Sequence, residues 1–340
     1  MRPQTALGLL GVIGAGVAIA MRRVEPYSFK DRVALITGGS RGLGLVLARQ
    51  LAAEGARLTL VARDAQELAV AAEELRGYGT QVETCIADVR QQEAVNQAVA
   101  QTIQRFGRID MLINNAGVIK AGPIEHMGVD DYREAIDTHM MGPLFGMMAV
   151  APHMQRQGGG RIVNIASVGG LVSVPHLVPY CASKFGLVGL SDGWRAELAR
   201  HNIAVTTVCP GLLRTGSHVN AKFKGQHEQE FAWFSIADSL PGISADAQDA
   251  AGQIIAAARR GQARLTISVP ANLISAANAL GPGLVAGAMK LTAAALPGPV
   301  GPEGDAVQTG WESRSPMVPG LLTALADQAT ADNNGLIAAP

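Results

Sequence analysis

Tyr180 and Lys184 stand four residues apart in Pro179-Tyr-Cys-Ala-Ser-Lys184, and Ser167 lies thirteen residues before the tyrosine. On a helix, residues at i and i+4 share a face, with β-carbons about 6 Å apart. A phenol with a pKa near 10 is a poor base at neutral pH. A neighbouring ammonium stabilises the phenolate and lowers that value. Such a tyrosine can give a proton to a carbonyl oxygen or take one from an alcohol. Ser167, at the end of a strand pattern, can hydrogen-bond the same oxygen. Tyr-x-x-x-Lys alone also fits a surface helix pair, so its weight comes from what surrounds it.

A second constellation is the turn Thr37-Gly-Gly-Ser-Arg-Gly-Leu-Gly44, which follows an apolar run and opens a helical pattern. Gly38, Gly42 and Gly44 let the chain turn tightly and approach a phosphate, and a helix N-terminus supplies N–H groups and a positive dipole. The residues after the second strand select the dinucleotide. An acid there binds the ribose 2′-hydroxyl of NAD. Here the junction reads Ala62-Arg63 before Asp64, and Arg41 sits inside the turn. Two guanidinium groups suit a 2′-phosphate, so the expected cofactor is NADP(H) rather than NAD(H).

These residues need a scaffold. From Asp31 onward short apolar runs alternate with helical patterns. Strands are expected at 32–37, 57–62, 81–87, 109–114, 160–166, 203–209 and 264–269, and helices at 43–54, 64–75, 91–106 and 130–155. That alternation predicts an α/β Rossmann-like fold: a doubly wound parallel sheet with helices on both faces and ligands at the carboxyl ends of the strands. Three regions follow: residues 1–27, a catalytic domain at 28–270, and an extension at 271–340. The extension is apolar to Leu296 but broken by Gly281-Pro282-Gly283, giving two short helices on the domain or on a membrane surface. Its last forty residues are expected to be loosely ordered or to wrap the surface.

At this point the order and spacing of the motifs resemble the short-chain dehydrogenase/reductase family, over about Lys30 to Val269. The resemblance implies that Gly38, Ser40, Arg41, Gly42, Leu43 and Gly44 hold the cofactor, with Arg63 beside them. It further implies that Asp88 and Val89 contact adenine. Asn115, Ala116 and Gly117, in the Asn114-Asn-Ala-Gly117 stretch, stabilise the sheet and line the cofactor. Pro210, Gly211 and Thr215 would touch the nicotinamide end. Ser167, Tyr180 and Lys184 become the catalytic trio, with Lys184 also on the nicotinamide ribose. One departure stands out. Where the family pattern has Asn three residues before Gly, this chain has His139, in Asp137-Thr-His139-Met-Met-Gly142. Imidazole both donates and accepts, so His139 is expected to keep a proton relay to the lysine and to add pH sensitivity near 6.5. The bland alternative is a packing substitute.

The expected function is therefore an NADP(H)-dependent oxidoreductase that interconverts a carbonyl and a secondary alcohol. The competing readings are a non-catalytic nicotinamide-binding regulator and a membrane-tethered scaffold. Phe223, Phe231, Trp233 and Phe234 crowd the segment between Leu212 and Leu240, which suggests an apolar pocket and a lipophilic substrate unless they merely pack a lid.

Composition sets outer limits. Lys+Arg and Asp+Glu both total 28 in 340 residues, which gives no basic face for nucleic acid. Cys85, Cys181 and Cys209 lack metal or disulfide spacing, the seven histidines are scattered, and no metal is expected. Ala6 to Ala20 carries no charge and is flanked by Arg2 and Arg22-Arg23. As a helix it is about 23 Å long against a ~30 Å hydrocarbon core, a difference that snorkelling arginines can close. A cleaved signal peptide ending at Ala18-Ile19-Ala20 would send the enzyme away from its cofactor pool. The preferred expectation is a membrane anchor through residues 6–21 with the catalytic domain in the cytoplasm, the other being a helix packed on the protein. The family resemblance adds the expectation of a homodimer or homotetramer.

Overall fold

The computed structural model describes residues 27–314 and 320–335. Its centre is a seven-stranded sheet. The strands are β1 (Val33–Thr37), β2 (Arg57–Ala62), β3 (Val82–Ile86), β4 (Met111–Asn114), β5 (Gly160–Ile165), β6 (Ile203–Pro210) and β7 (Arg264–Ile267), in the order β7-β6-β5-β4-β1-β2-β3. Every neighbouring pair is parallel. The expected α/β doubly wound fold is present, with strand boundaries within two residues of the expected ones. β7 ends at Ile267 because Pro270 lies in the first turn of the following helix.

Both faces of the sheet are covered, which is why its strands read as apolar runs rather than alternating ones. On one face α1 (Gly42–Ala53), α2 (Ala65–Arg76) and α8 (Ala247–Arg260) bury Leu45, Leu47, Leu51, Leu68 and Ile254 against Ile36, Leu58 and Leu60. On the other, α3 (Gln92–Phe106), α5 (Gly142–Arg156) and α6 (Val178–Leu198) bury Val99, Met147 and Met154 against Leu35, Leu112 and Ile162. Each fully buried leucine contributes about 2 kcal/mol by area.

The helix expected at 130–155 is three pieces: α4 (Val129–Ile136), a π-helical stretch at Asp137–Met141, and α5. A π insertion of this kind commonly marks a functional site, and this one carries His139. Apolar periodicity runs on across such an insertion, which is why the sequence reads as one helix.

Beyond β6 the chain builds a lid. Lys222–Phe223 pairs in parallel with Lys120–Ala121 and antiparallel with Gln308–Thr309. Helix α7 (His227–Ser239) follows. An ionic cluster pins the lid to α4: Glu134 accepts from Lys120 at 2.8 Å and Lys222 at 2.9 Å, and Asp131 accepts from Lys224 at 2.8 Å and from Lys120. Despite burial, those lysines hold Glu134 down to about 2.

The extension forms α9 (Val269–Leu280), α10 (Pro282–Ala295) and α11 (Gly320–Asp332). Helix α11 packs along α7, and buried His218 lies between Asp238 of α7 and Asp327 of α11, at 3.7 and 3.4 Å. The stretch expected as a membrane anchor, 6–21, lies outside the described residues. Among the described residues no helix is long and apolar enough to cross a membrane.

Candidate active site

A cavity of about 1160 Å³ opens at the carboxyl edge of the sheet, where the strand order reverses between β1 and β4. Parallel sheets bind ligands at this switch point, because neighbouring loops diverge there. Every residue singled out above for catalysis or cofactor contact lines this cavity, except Gly44, which lies in the first turn of α1.

Gly44 is where the glycine turn is most constrained. A β-carbon there would drive into the Gly38 carbonyl and lie 2.6 Å from Asn115 Nδ2. The contact is close because Asn115 ties the two loops together. Its Nδ2 donates to the Thr37 and Gly38 carbonyls, while Thr37 Oγ1 accepts from the Asn115 and Ala116 N–H groups. Gly38 itself sits at φ +65°, a conformation that disfavours a side chain. No side chain caps α1 and its first turn carries no acid. The Gly42 N–H goes to the Asn333 carbonyl at 2.9 Å, so the first-turn N–H groups left for a phosphate are those of Leu43 and Gly44. The cradle fits a dinucleotide pyrophosphate.

The two arginines stand differently. Arg63 is exposed at the cavity edge. Arg41 donates to Glu67 at 2.6 Å, and Ser40 Oγ donates to the other oxygen of that buried carboxylate at 2.8 Å. Asp64 caps α2 by accepting the Glu67 N–H, which aims Glu67 at the turn. By sequence Arg41 is available to a 2′-phosphate, and the place of Glu67 in a helical pattern gives no sign that it points back across the loop to take that guanidinium. Asp88, meanwhile, is held low by a bidentate bond from Arg90, which fixes the loop after β3.

The chain terminus supplies two more unexpected residues. Asn333 accepts the Gly42 N–H through its carbonyl and an Arg49 N–H through its side chain, and Asn334 Nδ2 donates to the Ser40 and Glu67 carbonyls. Nothing local in that polar tail announces a contact with a turn 290 residues earlier.

The catalytic trio is assembled. Ser167 stands close enough to the Tyr180 hydroxyl to oppose the rise in its pKa, and its Oγ accepts the Gly169 N–H at 3.0 Å. Lys184 Nζ donates to the Ile165 carbonyl at 2.8 Å and lies 5.5 Å from the Tyr180 ring centroid. Burial moves the pKa values of the two groups apart. It pushes the Tyr180 phenol up to about 12 and the Lys184 ammonium down to about 7. The sequence expectation of a phenol lowered by its lysine is therefore not met by the protein alone. As placed, Tyr180 is a proton donor.

His139 also departs from expectation. Its Nε2 accepts the Val118 N–H at 3.0 Å, which puts the proton on Nδ1, bonded to Ser183 Oγ at 2.8 Å. Ser183 in turn donates to the Tyr180 carbonyl. Burial, with Lys184 nearby, holds the imidazole well below 6.5. A neutral ring with both nitrogens engaged gives no pH sensitivity near 6.5. It packs edge-on against Tyr180, with centroids 5.3 Å apart, and steadies the helix that carries it.

Of the aromatic residues expected at the pocket, Trp233 and Phe234 line it, whereas Phe223 and Phe231 are buried in the lid core with Ala121. No group of three or more metal-ligating side chains occurs among the described residues, and all three cysteines are free and buried.

The short chain dehydrogenase profile matches residues 32–224. The chain belongs to that family. A putative ketoacyl reductase of the granaticin polyketide synthase from Streptomyces violaceoruber is 41% identical over 200 residues, covering 58% of this chain and 74% of its own. Among solved structures, L-sorbose reductase from Gluconobacter frateurii, complexed with NADPH and L-sorbose, superposes with a TM-score of 0.64 at 26% identity, covering 72% of this chain and 97% of its own. A short chain dehydrogenase from Mycobacterium paratuberculosis bound to NAD superposes at 0.62 with 25% identity, covering 71% and 97%. The chain is thus a carbonyl/alcohol oxidoreductase whose fold binds a nicotinamide cofactor, and the relatives include both NADPH and NAD complexes.

Two outcomes follow. Gly44→Ala is expected to weaken dinucleotide binding at least about tenfold or to cost more than ~2 kcal/mol of stability. Fluorescence titration and thermal unfolding measure the two, and no change in either would refute the close approach. The second concerns Lys184, whose ordinary value is 10.5. Between about 7 and 10.5 the unfolded chain binds a proton that the folded chain does not, so stability rises with pH across that window. In the protein without dinucleotide, Lys184→Met should gain most over the parent at or below pH 7, with the gap narrowing toward pH 10. A melting-temperature gap that is flat with pH would mean burial is not what depresses Lys184.

Proposed function

We propose that this protein is an NADP(H)-dependent reductase that converts a ketone on an apolar small molecule to a secondary alcohol, and the reverse. The observation that carries the reading is the Tyr180 side chain, beside Ser167 and buried Lys184, in the same cavity as the glycine cradle. The nicotinamide supplies or takes the hydride at the substrate carbon. Tyr180, protonated at neutral pH, gives its proton to the carbonyl oxygen as the carbon is reduced. Ser167, whose Oγ already accepts from Gly169, keeps its own proton to donate to that oxygen. Lys184, with a value of about 7, is partly protonated at neutral pH, and in that form it stabilises the phenolate left behind.

Two features support the finer terms. The far part of the cavity is bounded by Leu177, Trp233, Phe234, Ile243, Leu273 and Ile274, which favours an apolar substrate body. For the cofactor, no acid ends β2, and Arg63 stands at the edge where a 2′-phosphate would lie. Glu67 opposes that preference by occupying Arg41.

Tyr180→Phe tests the chemistry. It should cut turnover of hydrophobic ketones about 10²–10⁴-fold while NADPH affinity stays within a few-fold, and retained turnover would defeat the mechanism. Comparing kcat/KM with NADPH and NADH tests the cofactor reading. Arg63→Ala should lower the NADPH-to-NADH ratio about tenfold, and Glu67→Gln should raise it by releasing Arg41. A ratio that moves in neither variant would remove the 2′-phosphate argument.

A further inference from the structure

The hairpin formed by α9 and α10 is apolar and uncovered. From Val269 to Val300, Lys290 is the only charged residue. Yet Leu273 is 66% exposed, Leu280 90%, Leu284 83% and Leu291 75%. The two leucines of each helix are seven residues apart, so each pair shares a face. Helix α9 buries only Ala271 fully and α10 only Val285. The two helices pack on each other, and Asn278 Nδ2 tethers α9 to the Leu171 carbonyl. Between the outward leucines lie mostly small or apolar residues, with Ser275, Asn278 and Lys290 the polar ones among them.

We propose that this hairpin lies in one leaflet of an anionic lipid membrane, a monotopic attachment that sets the cavity mouth at the bilayer surface. Four observations select lipid over a second copy of the chain. Helices apolar on nearly all sides need a surrounding apolar medium, whereas a partner subunit covers one face. At 12 and 14 residues the helices are about 18 and 21 Å long, too short to span and of the length of interfacial or re-entrant segments. The lone charge is cationic, as an anionic leaflet favours. A further uncharged stretch, Ala6 to Ala20, flanked by arginines, precedes the described residues and has the composition of a second membrane-seeking segment in the same chain. The hairpin is also continuous with the cavity, since Ala271, Leu273 and Ile274 line it from α9. A lipophilic substrate dissolved in the leaflet would meet the opening without crossing water.

The test reads the hairpin itself, so it separates this contact from any anchoring by the first 26 residues and from the reductase reading. The three native cysteines are buried, so Leu284→Cys in the full chain takes an environment-sensitive fluorophore at one position. With vesicles of phosphatidylcholine and phosphatidylglycerol, we expect its emission to shift to the blue and to be quenched by lipids labelled at shallow acyl positions. Adding Leu280→Glu and Leu291→Glu, neither of which lines the cavity, should weaken both effects at least about tenfold while leaving the melting temperature and turnover of a water-soluble ketone unchanged. A probe that stays in water while the chain floats with vesicles would overturn the proposal. So would a probe shielded without lipid as light scattering shows the mass doubling, because a second copy would then cover the hairpin.

Discussion

A buried ammonium without a carboxylate beside it governs the active site. Lys184 is 5% exposed, and among the described residues its Nζ hydrogen-bonds the Ile165 carbonyl alone. Desolvation therefore favours the neutral amine, just as it favours the neutral phenol of Tyr180. At neutral pH the protein alone keeps Tyr180 uncharged and leaves Lys184 near the midpoint of its titration, close enough that a charge on either steadies the opposite charge on the other. Burial creates this state, so everything that excludes water from the carboxyl edge of the sheet serves it. The π stretch sets His139 against Tyr180, Asn114 and Asn164 bond beneath the loops at 2.8 Å, and Ser191 accepts from Asn164 at 2.7 Å. These are neutral polar contacts. None introduces an anion that would hold the lysine permanently charged.

Much of this arrangement was legible from the residues. The strands are apolar because both faces are covered, so their positions show directly, and the glycine turn and Tyr180/Lys184 spacing follow from backbone geometry that sequence records. What escaped is what depends on side-chain direction across loops. Arg41 reads as a free cation, yet Glu67, pointed by its own helix cap, takes it. His139 reads as a titrating relay, yet burial and two engaged nitrogens remove its charge. Phe223 and Phe231 read as pocket residues and are lid core. In each case the residue type was informative and its partner was not, because the partner is distant in sequence.

The substrate side is built with less rigidity than the cofactor side. The glycine cradle is fixed by backbone contacts to Asn115 and Thr37, while the lid stands on short two-residue strand pairs and on the ionic cluster around Asp131 and Glu134. Short pairings can vary without disturbing the sheet, so one fold can serve different substrates.

The contact of Asn334 with Ser40 in the glycine turn joins positions 294 residues apart. A ribosome releases the amino-terminal half first, and domains begin to fold as they emerge. Here the dinucleotide cradle near residue 40 would lack its outer support until Asn333 and Asn334 have emerged. The sheet, whose last strand ends at Ile267, can therefore form while its phosphate-binding loop is still unsupported.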